Sequence, residues 1–192
     1  MATTSMSREI VQTLAISQGD IFKNVKYAYI DSEDDEKVNI IELEFPLAII
    51  VSQACDVTFM GELHENLSGK ITKFMPSILL CPIYDKRMLR EVNHLSEISS
   101  DNIVDIVNEK FFTSKEVQVT DNDLHYRFHS LNVARNKKPI IQEAVIDFKH
   151  CFSVPIKYLY KNKGNRIASL EPIFAEQITL KFSNYLSRVA IP

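Results

Sequence analysis

FPLAIIVSQACDVTF spans residues 45–59 and changes character halfway along. Pro46 to Val51 is a short, almost wholly apolar run. A run of this length, rich in β-branched residues and bounded by turn chemistry, reads as a strand buried on both faces. It breaks at Ser52 into a polar cluster of Gln53, Cys55 and Asp56. Ser and Asp at a strand end can bond backbone N–H groups and tie down a tight corner. The same corner can line a recognition cleft, with Gln53 and Asp56 offering hydrogen bonds.

Upstream, Ser7 can cap a short helix through REIVQTLA, and Ser-Gln-Gly-Asp (17–20) is a turn. IFKNVKYAYI (21–30) and VNIIELEF (38–45) read as strands, with Pro46 an end or an edge. DSEDDEK (31–37) carries five acids in its first six residues and reads as a solvated loop. Downstream, SILLCPIY (77–84) is another buried strand. KRMLREVNHLSEI and DNIVDIVNEKFF carry helical spacing, with Asp85 as a cap, so a helical insertion is expected at about 85–124. LHYRFHSLNV (124–133) reads as strand, RNKKP as a basic turn, and 140–160 as two or three strands broken near Ser153 or Pro155. KNKGN is a hairpin-type turn leading to RIASL. Pro172 opens a helix whose Phe174, Ile178, Phe182, Tyr185 and Val189 form one apolar stripe. If that stripe stays partly exposed, a homodimer is expected; if buried, it completes the core.

The 192 residues suggest one domain, mainly β with α, able to bury a core without disulfide or metal. No stretch is apolar enough to cross a membrane, and the N-terminus lacks the pattern of a secretory signal. Cys55, Cys81 and Cys151 are widely spaced, with no C-x-x-C pair, which points to reduced thiols in a cytoplasm. Net charge is −3, unevenly spread: residues 1–110 hold 10 Lys/Arg against 18 Asp/Glu, and residues 111–192 hold 12 against 7. That balance lacks the plainly basic character of a strong nucleic-acid binder.

A Cys with a His elsewhere is a candidate nucleophile pair. Cys55 could be activated by His125 or His129, with Asp56 orienting the ring; packing at a strand end is the plainer role. Cys55, Asp56, His64 and Glu65 match no metal-ligand spacing, so neither metal nor cofactor is expected. In HYRFH (125–129) strand alternation places His125, Arg127 and His129 on one face, and Tyr126 and Phe128 in the core. The first three could meet phosphate or carboxylate, or simply form a solvated outer face. YLYKNKGNR (158–166) adds positive charge interleaved with tyrosines.

QGDIF (18–22), FPLAIIVSQ (45–53) and the tail AVIDFKHCFSV, RIASL and final helix resemble, in that order, the MazF/PemK toxin family and its CcdB-like relatives. The chain also resembles small uncharacterised bacterial proteins with an S-Q-x-C-D motif and a tail like FSNYLSRVAIP. The resemblance implies a small, strongly bent antiparallel barrel of SH3-like type, with 58–76 and 85–124 as additions. Family toxins cut RNA without a metal, using an Arg near the first hairpin and a Ser or Thr on a following strand. Here Phe45 stands before the proline, the hairpin is acidic, and Leu80-Cys81-Pro82 occupies the later strand. The expectation is therefore a non-catalytic binding or regulatory module of toxin–antitoxin or phage-defence type, with a protein partner. One alternative is a metal-independent endoribonuclease acting on RNA through the Ser52–Asp56 corner with Arg127 and His129. Another is an inhibitor that docks on a protein through an exposed helix, as CcdB-like relatives do.

Overall fold

The computed structural model describes residues 4–8, 15–33, 37–57, 77–86 and 126–188. Residues 9–14 of the expected helix over 8–15, the addition at 58–76, nearly all of the insertion at 85–124, and His125 lie outside them. Among the described residues the chain is mostly strand. The strands are β1 (Thr4–Met6), β2 (Asp20–Glu33), β3 (Val38–Ile50), β4 (Ile78–Asp85), β5 (Phe128–Arg135), β6 (Lys138–Asp147), β7 (Phe152–Val154) and β8 (Arg166–Ser169). Two helices follow late in the chain, α1 (Ile156–Lys161) and α2 (Pro172–Leu186). The sheet runs β1-β5-β6-β4-β3-β2-β8, with β7 also on β4. It is mixed rather than antiparallel throughout, because β1 pairs parallel with β5.

The apolar run is not a separate strand. It is the second half of β3, which passes through Pro46 without a break. Across the ladder Lys23 pairs with Leu47 and Val25 with Phe45, which leaves Asn24 opposite Pro46. Asn24 takes φ 54, a left-handed conformation that Asn tolerates better than most residues. Pro46 has no N–H to offer the ladder. Both strands change their facing at this point. Phe22 and Val25, like Phe45 and Ala48, are three apart yet line one apolar cluster, where a regular strand would set them on opposite faces.

Two cores result, drawn from alternate residues of β3 and β4. Ala48, Ile50, Ile78 and Leu80 join Phe22, Phe45 and Phe152 under Ile156 and Leu159 of α1. Ile49, Val51, Cys81 and Ile83 join Leu131, Ile146 and Phe148 under Ala175, Ile178 and Phe182 of α2. Burial on both faces is why residues 47–51 read as continuously apolar. Each fully buried large side chain stabilises the fold by about 1.5–3 kcal/mol.

The two ends of the strand path are tied together. After β1, Ser7 N donates to Ala134 O at 2.8 Å, and Arg8 N to Ser169 O at 2.7 Å. Ser7 forms a bridge with Leu170, and Glu171 N donates to Met6 O at 2.9 Å. Arg135 Nη2 donates to Ile167 O at 3.1 Å. Ser7 serves this strand junction, its Oγ accepting from Ser169 N at 3.1 Å; the helix it is expected to cap lies almost wholly outside the described residues.

Further expectations change. Residues 156–160 are helix, not strand, and KNKGN joins α1 to β8 rather than two strands of a hairpin. RNKKP is a tight turn as expected, with Asn136 and Lys137 at φ 51 and 63. The α2 stripe completes the second core: Ile178 and Phe182 are buried and Phe174 and Tyr185 half-buried, while Val189 is not among the described residues.

Candidate functional site

β5 begins at Phe128, so Arg127 sits in a bend rather than on the expected strand. Freed from strand alternation, its side chain folds onto the end of β6. Arg127 Nε donates to Asp147 Oδ1 at 2.9 Å and Nη2 to Oδ2 at 2.7 Å, a bidentate pair. Asp147 is fully buried, and its Oδ1 also accepts from Lys149 N at 3.0 Å, capping the turn Phe148–His150. His150 Nδ1 lies 2.9 Å from Asp147 Oδ2, and the His150 side chain is 21% exposed. Burial alone would push the Asp147 carboxyl up. The hydrogen bonds from Arg127 and His150 outweigh it and hold the group at about 2. Burial likewise pulls Arg127 down, but the Asp147 bonds and charge leave it raised.

Aromatic rings enclose this group. Phe148 packs on Phe182 and Tyr185 of α2, with centroids 5.7 and 6.2 Å apart. Tyr126 stacks on Tyr185, and the Arg188 guanidinium lies 3.1 Å from the Tyr126 ring centre. The expectation that Tyr126 is core is wrong: it is 53% exposed, while Phe128 and His129 are both buried. The outer face expected to carry His125, Arg127 and His129 does not form, because His129 lies inside against Phe148 and Arg127 is committed to Asp147.

The Ser52–Asp56 corner is built separately. Ser52 is buried, and its Oγ accepts from Leu79 N at 2.8 Å, fixing the exit of β3 on the start of β4. A helical turn follows at 54–57, with Val57 N donating to Gln53 O at 3.1 Å. Gln53, Cys55 and Asp56 are exposed, and the Cys55 thiol lies 3.8 Å from Gln53 Oε1 and 3.7 Å from Asp56 Oδ1. Corner and arginine group occupy different stations on α2. Thr179 reaches Val51 O at 3.4 Å beside the corner, whereas Phe182 and Tyr185 meet Phe148 further along. The structure ties Arg127 to Asp147 and buries His129 against Phe148, whereas Cys55 and Asp56 are exposed on the corner. Among the described residues no three His, Cys, Asp or Glu side chains are grouped to hold a metal.

Sequence reasoning missed Asp147 and His150. The signal was DFKH, an acid at a strand end with a His three residues on. A second buried pair was also missed: Arg166 Nη1 donates to Asp20 Oδ2 at 2.9 Å, anchoring β8 to the start of β2. A cleft of about 460 Å³ lies elsewhere, at the β5–β6 hairpin, lined by Asn132, Lys137, Gln142 and Glu143 among others.

Two results are expected from this geometry. Asp147 has a folded pKa below its ordinary 3.8, so its contribution is complete above that value and is lost as pH falls through 2. The difference corresponds to about 2 kcal/mol. Urea midpoints measured from about pH 5 to pH 2 should fall less steeply in Asp147→Asn by that amount; equal slopes would contradict the assignment. The thiols should also separate in native alkylation. Burial pushes the Cys81 thiol well up and raises Cys151, while Cys55 is exposed. Since the thiolate reacts, Cys81 should label on the order of 100-fold more slowly than Cys55, or only after unfolding. Equal labelling rates would contradict it.

Comparison of the chain with models of known families, with curated proteins and with solved structures finds no match.

Proposed function

We propose that the chain is a non-catalytic binding or regulatory module, of toxin–antitoxin or phage-defence type, on a strongly bent SH3-like barrel. The barrel reading is supported by the main-chain bonds that tie β1 and its neighbours to β8. The setting rests on the MazF/PemK resemblance. The observation that carries the non-catalytic reading is the bidentate Arg127–Asp147 pair. Arg127 is the cation that the endoribonuclease alternative assigns to phosphate, and here it neutralises a fully buried carboxylate. The other family positions are also consumed by packing. Phe45 stacks on Phe152 at 4.3 Å between centroids, and Cys81 is fully buried.

The inhibitor alternative has one favouring observation: Ile173, Leu180 and Leu186 of α2 are 59, 63 and 59% exposed. Expression in bacteria separates the three. The module causes no growth arrest. Arrest abolished by His150→Ala supports the enzyme, and arrest abolished by Leu180→Glu supports the inhibitor; either outcome overturns the module.

A further inference from the structure

We propose that Cys81 and Cys151 form a dithiol site on neighbouring strands, closed to a disulfide by exchange with a low-molecular-weight disulfide. This goes beyond the proposed function and does not depend on it.

The strand register brings the two together. β4 pairs antiparallel with β7, with Ile78 opposite Val154, Leu79 opposite Ser153 and Leu80 opposite Phe152. One residue on along β4 and one back from β7, the same register sets Cys81 opposite Cys151. Cys151 has φ −59 and ψ 141, an extended conformation that continues the strand line. Facing agrees. Ile78, Leu80, Phe152 and Val154 line the first core, whereas Cys81 belongs to the second and Cys151 packs against it. Alternation thus turns both thiols to the same side of the sheet.

Hydrogen bonding decides which kind of pair this is. Leu79 N donates to Ser52 Oγ at 2.8 Å, and Leu79 O accepts from Val51 N at 3.0 Å. Both main-chain groups of Leu79 therefore point to the β3 side, away from β7. Cys81, two residues on and opposite Ile49 of β3, is oriented alike. Cys81 and Cys151 are then a non-hydrogen-bonded cross-strand pair, the kind whose Cα atoms stand about 4.5 Å apart with side chains closest. A disulfide spans roughly 4.4–6.8 Å between Cα atoms. Cys55 has no comparable place, being exposed on the helical turn after β3.

Burial orders the steps, since Cys151 is half-buried and Cys81 fully buried. The Cys151 sulfur, giving up its proton, attacks one sulfur of the incoming disulfide. That S–S bond breaks, and the released sulfur takes up the proton and leaves as a thiol. Cys81 in turn gives up its proton and attacks the Cys151 sulfur, releasing the second thiol. Two electrons pass from the chain to the small disulfide, and one S–S bond replaces another. Burial raises both thiols, so they ionise reluctantly and exchange is slow. The same property makes each a poor leaving group, so the bond is hard to reopen.

The test equilibrates the full chain with reduced and oxidised glutathione, quenches it with acid, and maps the peptides by mass. Cys81 should be joined to Cys151 in the wild type and equally in Cys55→Ser, an exposed position whose change leaves the fold intact. The equilibrium constant for closing the bond should be on the order of 100-fold larger in the folded chain than in urea, where the long loop between the two residues must first be closed. A folded Cys81→Ala chain should stop at the glutathione mixed disulfide on Cys151. A folded Cys55→Ser chain that keeps both thiols free, or that closes the bond no more readily than in urea, would overturn the proposal. So would a wild type that joins Cys55 instead.

Discussion

Arg127→Ala is expected to destabilise the fold by about 3–5 kcal/mol, the cost of leaving a buried charge without its partner. Asp147 is fully buried and keeps only His150 and the Lys149 amide once the guanidinium is gone. The Arg127 side chain is itself only 12% exposed, so bulk water cannot replace it cheaply. An arginine held for a ligand behaves differently: its removal leaves stability near the wild-type value, as for most surface changes. The double variant Arg127→Met with Asp147→Leu sharpens the measurement. Replacing both partners of a buried pair by apolar groups often restores stability. Urea unfolding of the single and double variants should therefore show a large loss followed by substantial recovery. No loss in Arg127→Ala would return the arginine to the list of ligand-binding groups.

Gly19→Ala is expected to cost about 2–5 kcal/mol, combining about 1–2 for a left-handed residue with about 1–3 for overpacking. Gly19 has φ 79, and an added Cβ would lie 2.6 Å from Ala175 Cβ and 3.3 Å from Leu170 Cβ. The position joins three elements. Gly19 N donates to Ile50 O at the end of β3, Gly19 O accepts from Leu170 N after β8, and α2 packs directly above. Neither backbone nor helix can withdraw without loosening the second core. Measured against Ala175→Gly alone, which itself costs about 0.5–1 kcal/mol as a glycine inside a helix, the added Gly19→Ala should cost about half as much, because the closest contact is gone while the φ and the Leu170 contact remain. No added cost would show that φ carries no strain; an undiminished cost would show that Ala175 is not the obstacle.

Much of the sheet was legible because its strands are patterned by burial. Residues 47–51 and 78–84 read as apolar runs, and both lie in strands packed on each face. Pro46 misled, since the rule that proline ends a strand ignores a partner that compensates. Asn24 is that partner, 22 residues away. IKYLY read as strand because tyrosine and isoleucine favour strands, but Pro155 and the packing of Ile156 and Leu159 on the first core set a helix. Of the candidate site, the corner was legible in its plain sense: Ser52 does hold a strand exit. The role of Arg127 was not. Alternation put it on an open face, whereas its partner Asp147 lies 20 residues on and in the fully buried interior. A long-range ion pair leaves no local period to detect.

The most direct test of the non-catalytic reading is incubation of the purified full chain with single-stranded RNA in metal-free buffer, beside His150→Ala and Arg127→Lys. Intact RNA for all three proteins at high protein concentration is the expected result. Cleavage by the wild type that is lost in both variants, with their fold retained, would contradict it and make the Arg127–Asp147–His150 group an active site.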